Sequence, residues 1–97
     1  MATKELSSEM TGEAYDLLDC FASGIDDLVY KIAEGIAASN GQRSAEGTIS
    51  ITAADVKQAA DSVFNAIKAQ AGKGIPESVA SEIQSMHECV LAKCRAK

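Results

Sequence analysis

A proline-free segment with a regular apolar pattern occupies residues 11–40. Its large apolar side chains recur at intervals of three and four, which places them on one face of a helix. Thr11 can cap the start of such a helix, and Asn40-Gly41 is a typical helix end. The pattern therefore predicts one long central helix over residues 11–40, with an apolar stripe formed by Leu18, Phe21, Ile25, Leu28, Ile32 and Ile36.

The length of this helix has a consequence for assembly. It would extend about 45 Å, whereas a globule of this chain's size is about 30 Å across. A chain of 97 residues also buries only about 60 to 65% of its unfolded surface, so its own core is small. We therefore expect a second copy of the chain, or a related helical partner, to cover the stripe, whose residues become candidate dimer-interface residues.

Two further amphipathic helices are predicted, over residues 52–71 and 76–95. Thr52 caps the first of them, and Asp55, three positions later, can bond back to the Thr52 amide. Pro76 suits the first turn of the second helix, because that position has no helical hydrogen bond to lose. With a loop over residues 41–51 and a flexible arm over residues 1–10, residues 11–97 form a single all-α domain.

The loop ends in the letters "TISI", where β-branched residues alternate with a serine. Such residues favour an extended backbone, and alternation places Ile49 and Ile51 on the same side of it. A short extended segment therefore leads directly into the cap at Thr52.

This order of elements resembles the second half of the histone fold. The letters "TGEAYDLL…DDLVYKIAEGIAASNG" are similar to a histone central helix, and "SITAADVKQAA" is similar to the strand, cap and last helix of that family. The resemblance implies a head-to-tail dimer with crossing central helices. It also implies that residues 50–55 form a parallel β-bridge with the partner chain, which adds Ile49 and Ile51 to the interface.

The chain departs from the histone pattern in three places. The family's basic pair before the strand, which contacts phosphate and clamps the capping aspartate, is replaced by Thr48 and Ile49. Arg43 is left as the residue that could fold back toward Asp55. The first ten residues are too few for the first histone helix and its loop, and the helix over residues 76–95 is additional.

The charge balance bears on the choice of partner. The net charge of −5 at pH 7 repels phosphate at long range and disfavours binding of DNA. A histone-like DNA-binding protein stays open as an alternative, with a local set of basic contacts. These would be Arg43, Lys57, Lys93, Arg95 and Lys97.

Candidate chemistry is sparse. The letters "MHECVLAKC" place His87 and Cys94 on one side of a helix but two turns apart, with Cys89 on the other side, so they cannot bind one metal ion together. Three cysteines in helical segments, with Cys20 as the third, indicate reduced thiols. No catalytic constellation, phosphate loop or cofactor motif is present, and no apolar run reaches the length of a membrane span. We expect a non-enzymatic, cytoplasmic protein without metal or cofactor, or a nucleoid or nuclear one if it binds DNA.

These observations favour a noncatalytic helical dimerisation or protein-interaction module with a histone-fold-like core. Two alternatives remain. One is the histone-like DNA-binding protein. The other is an adaptor, similar to a secretion chaperone, that holds an amphipathic helix of its partner in a groove.

Overall fold

The computed structural model describes residues 8–43, 45 and 47–95. Helices make up 69% of these residues, which confirms the expectation of a mostly helical chain. A short parallel sheet of two strands completes the described structure. In chain order the elements are β1 (Ser8–Met10), α1 (Gly12–Leu18), α2 (Ile25–Ser39), β2 (Ile49–Ile51), α3 (Ala53–Gln70) and α4 (Glu77–Arg95).

The prediction of one continuous helix over residues 11–40 is wrong, because residues 19–24 separate α1 from α2. Gly24 has a φ of 95°, a left-handed conformation that interrupts helical hydrogen bonding and that glycine adopts readily. The Gly24 amide donates instead to Asp26 Oδ1 at 3.1 Å. The break lets Phe21 enter the core, and it removes the length argument for a dimer.

The face of α2 that packs on the rest of the chain is not the predicted stripe. α2 packs mainly against α3, and its buried residues are Val29, Ala33 and Ala37. The facing helix α3 also buries small side chains, including Ala59 and Ala60. The larger residues of the stripe lie beside this contact, about 90° around the helix at about 100° per residue.

β1 and β2 pair in parallel within the same chain, with Glu9 opposite Ser50. The resemblance implied that this pairing would be made with a partner chain, and residues 1–10 were expected to be a flexible arm. Both expectations are wrong for residues 8–10, while residues 1–7 lie outside the described part of the chain. Ile49 and Ile51 are buried in the chain's own core, so neither can contribute to a partner surface in this fold.

The predicted cap of α3 is confirmed and forms a buried hub around Asp55. This carboxylate is only 3% exposed, and its Oδ2 atom accepts from the Thr52 amide at 2.9 Å and the Thr52 hydroxyl at 3.0 Å. The third donor is Gln42 Nε2, at 2.8 Å. Gln42 Nε2 also donates to the Ser50 carbonyl at 2.8 Å. Gln42, and not Arg43, therefore supplies the clamp on the capping aspartate.

The Gln42 clamp predicts a measurable stability contribution. Gln42→Ala removes two hydrogen bonds, one of them to a buried carboxylate, and should lower the free energy of unfolding by about 2 kcal/mol. Urea denaturation measures this change. Gln58→Ala is the control, because Gln58 is an exposed glutamine on α3 whose loss should cost less than about 0.5 kcal/mol. Equal effects of the two substitutions would show that the clamp contributes nothing.

Candidate protein-interaction surface

The most exposed part of the predicted stripe lies on the outer side of α2. We call Ile25, Leu28, Ile32 and Ile36 the α2 flank. Leu28 is 48% exposed, and the other members are partly buried at the edge of the core. Gly35, one position before Ile36, has open space around it, since no atom lies within 4 Å of a Cβ built there. The flank is therefore an apolar helix surface that this chain covers only in part.

The remaining residues of the predicted interface lie elsewhere. Phe21 is buried in the core and Leu18 is partly buried against it, because the turn at residues 19–24 directs them away from the line of α2. Ile49 and Ile51 line the core beneath β2. The structure therefore keeps four of the eight predicted interface residues together on one surface, and these four are the α2 flank.

Two of the five predicted nucleic-acid contacts, Lys57 and Lys93, make bonds within the fold. Lys57 Nζ lies 2.9 Å from Asp61 Oδ2. Lys93 Nζ donates to the Asp16 carbonyl at 2.6 Å, where it satisfies an acceptor in the last turn of α1. Arg43 and Arg95 are exposed, and Lys97 lies outside the described residues.

A polar cluster joins α3 to α4 and accounts for the single histidine. His87 Nε2 donates to Asp61 Oδ1 at 2.7 Å, since the carboxylate can only accept. The His87 ring stacks on Phe64 with ring centroids 4.3 Å apart and an angle of 5° between the planes. His87 is therefore held between two side chains of α3, as a structural residue of the helix contact.

The charges of this cluster shift two pKa values. Partial burial raises the pKa of Asp61, but the hydrogen bonds from His87 and Lys57 and the Lys57 charge outweigh it, so the net pKa lies below its usual value. The pKa of Lys57 is raised, chiefly by its hydrogen bond to Asp61. No group of three or more His, Cys, Asp or Glu side chains within the described residues is placed to hold a metal ion.

The expectation of three reduced thiols is wrong. Cys20, in the turn after α1, forms a disulfide with Cys89 on α4, with Cα atoms 5.7 Å apart. Cys94 is the free cysteine and is partly buried against the core. The bonded cysteines are 69 residues apart in sequence, and nothing in their local patterns pairs them.

An open hollow lies between the end of α3 and the start of α4, with a volume of about 280 Å³. Phe64 and Ala71 form part of its wall, together with Lys68, Glu77 and Gln84. The last three are exposed, and the volume is slightly below the usual range for sites that enclose a small molecule, about 300 to 1,000 Å³. The hollow is therefore an open surface depression lined mainly by exposed side chains.

Comparison of the chain with protein-family models, with curated proteins and with solved structures gave no match. Within the described residues, none of the helices combines the length and the apolar character needed to cross a bilayer. The α2 flank is therefore identified as the candidate functional surface from its exposure and apolar character alone.

The Asp61 cluster predicts a pH-dependent stability difference. Because the folded-state pKa of Asp61 lies below the usual value for an aspartate, Asp61 stabilises the fold at pH values above that usual pKa. This contribution is lost as the pH falls through the folded-state pKa. Asp61→Asn should therefore lower the melting temperature at pH 7, and the difference from wild type should shrink below about pH 4. Thermal melts from pH 2.5 to pH 7 measure it, with the exposed Glu82→Gln as the control. A difference that stays constant with pH would contradict the assignment.

Proposed function

We propose that this chain is a noncatalytic dimerisation module in which the α2 flank of one chain packs against the α2 flank of a second copy. The main support is that α2 buries Val29, Ala33 and Ala37 in the core, while Leu28, on its outer side, stays 48% exposed. An isoleucine- and leucine-rich helix surface beside a core contact made of alanine and valine is typical of a second contact.

The charge distribution favours a second copy on this surface. Each chain carries a net charge of −5, so two copies repel one another over most orientations. The four side chains of the α2 flank are uncharged, so they offer an apolar contact that does not itself add to this repulsion. A two-fold contact uses the same patch on both chains, which a single apolar helix surface satisfies. Open space at Gly35 allows the second helix to come close.

A histone-fold-like core is part of the proposal. It is supported by the strand β2, the Thr52 cap and the helix α3, which follow one another as in that family, and by the clamp on Asp55. The broken central helix and the β-pairing within one chain count against it. In the proposed dimer the contact between chains therefore rests on α2, and the sheet belongs to each chain separately.

The two alternative functions differ in their partner. Binding of DNA loses support because Lys57 and Lys93 make contacts within the fold. An adaptor would use the same α2 flank, but with an amphipathic helix of another protein as its occupant. The adaptor predicts a chain that stays monomeric until that protein is added.

The disulfide affects the cytoplasmic location expected from the sequence. Cytosolic disulfides are mostly transient and redox-sensing, whereas stable ones are typical of oxidising compartments. A cytoplasmic location therefore requires that the Cys20–Cys89 bond be formed and reduced there.

Leu28→Asp tests the proposed dimer. The substitution places a carboxylate at the most exposed member of the α2 flank, where burial against a second chain would leave it without a partner. We expect wild type to have twice the mass of one chain in size-exclusion chromatography with light scattering. Leu28→Asp should have the mass of one chain in the same measurement, and its circular dichroism spectrum should show that it is folded.

Val79→Asp is the matched control, since Val79 on α4 is 42% exposed and lies outside the α2 flank. This variant should stay dimeric. A monomeric wild type, or a Leu28→Asp variant that remains dimeric, would overturn the proposed function.

A further inference from the structure

The Cys20–Cys89 disulfide lies at the junction between an N-terminal segment and the rest of the fold. We call residues 8–24, which contain β1, α1 and the turn, the N-terminal segment. Both cysteines are partly exposed, so a small thiol can reach the bond. The bond joins the turn to the second half of α4, on the side of the molecule where Lys93 donates to the Asp16 carbonyl.

The elements of this segment are short, and their buried side chains pack on the rest of the fold. α1 has only 7 residues, well below the length at which an isolated helix is stable. Its buried side chains are Ala14 and Leu17. β1 contributes 3 residues and a hydrogen bond between the Ser8 and Tyr30 hydroxyls. α1 therefore depends on contacts with the rest of the fold, and the Cys20–Cys89 bond is the covalent one among them.

The remaining helices are longer and pack on one another as well as on the N-terminal segment. α2, α3 and α4 contain 15, 18 and 19 residues. α3 packs extensively against both α2 and α4, and the Asp55 hub with Gln42 lies on this side of the chain. Loss of the contacts made by α1 would leave these three helices with most of their mutual packing.

We propose that the Cys20–Cys89 disulfide is a redox latch. In the oxidised chain it holds the N-terminal segment on α3 and α4, and reduction releases this segment while α2, α3 and α4 stay folded. The reductant is a dithiol, whose thiolate attacks one cysteine sulfur and whose second thiol displaces the mixed disulfide. The protein disulfide gains two electrons and two protons to give two thiols, and the dithiol is oxidised to its own disulfide.

Release has a defined structural consequence. Leu17 and Phe21 leave the core, and the apolar surface of α3 and α4 beneath them becomes accessible. The redox state of one bond would thus control whether this second apolar surface is covered. This inference goes beyond the proposed dimer, because it uses none of the α2 flank.

Hydrogen exchange followed by mass spectrometry tests the latch on the full chain, with and without dithiothreitol as the reductant. Amides of residues 12–21 should exchange at least about tenfold faster after reduction, whereas those of residues 55–63 should change less than about twofold. Cys20→Ser should show the fast exchange without reductant. Cys94→Ser should respond to the reductant as wild type does, because Cys94 is outside the bond.

Three results would overturn the proposal. Unchanged exchange in residues 12–21 would show that the bond adds nothing to their stability. Equal acceleration across all helices would show that the bond stabilises the whole domain and is not a latch. Alkylation of all three cysteines in unfolded, unreduced protein would show that the bond does not form. Each is separate from the Leu28→Asp test, which measures association alone.

Discussion

The contact between α2 and α3 decides which residues of this chain remain on its surface. Both helices bury small side chains, which are Ala33 and Ala37 on α2 and Ala59 and Ala60 on α3. Alanine lets two helices approach closely, so the contact buries a narrow strip of each helix. The larger side chains of α2 are left on the side of that strip. Leu28 is exposed because α2 packs on α3 through its small side chains.

The hydrogen bonds around Asp55 hold the start of α3 in a fixed position relative to the end of α2. Through Asp55, they link Gln42, three residues after the end of α2, to Thr52 at the start of α3. A buried carboxylate without donors would cost several kcal/mol, so the hub forms only when loop, strand and helix are all in place. The loop after α2 therefore fixes the start of α3, and the position of α3 in turn fixes which face of α2 is covered.

Features set by neighbouring residues could be predicted from the sequence. The cap at Thr52, the extended run before it and the start of α4 after Pro76 depend on contacts within a few positions, and all are present. The break at Gly24 was not predicted, because the apolar spacing continues across it and only Ser23 and Gly24 carry the local signal.

Features set by distant contacts could not be predicted. The pairing of β1 with β2 and the Cys20–Cys89 bond join segments far apart in the chain. The apolar side of α2 could be predicted from its periodicity. The part of that side that α3 covers could not, because it depends on how the two helices pack. Similarly, nothing in the sequence indicated that Gln42 would bond to Asp55, because a glutamine in a loop is ordinary.

Contacts between chains at the α2 flank are the most direct test of this account. Nuclear Overhauser effects between a methyl-labelled chain and an unlabelled chain, in a mixed sample, report such contacts residue by residue. We expect nuclear Overhauser effects between chains from the Leu28 and Ile32 methyls. We expect none from Val29, which is buried in each chain. A dimer in which Leu28 and Ile32 show no such effects, or in which Val29 does, would contradict it.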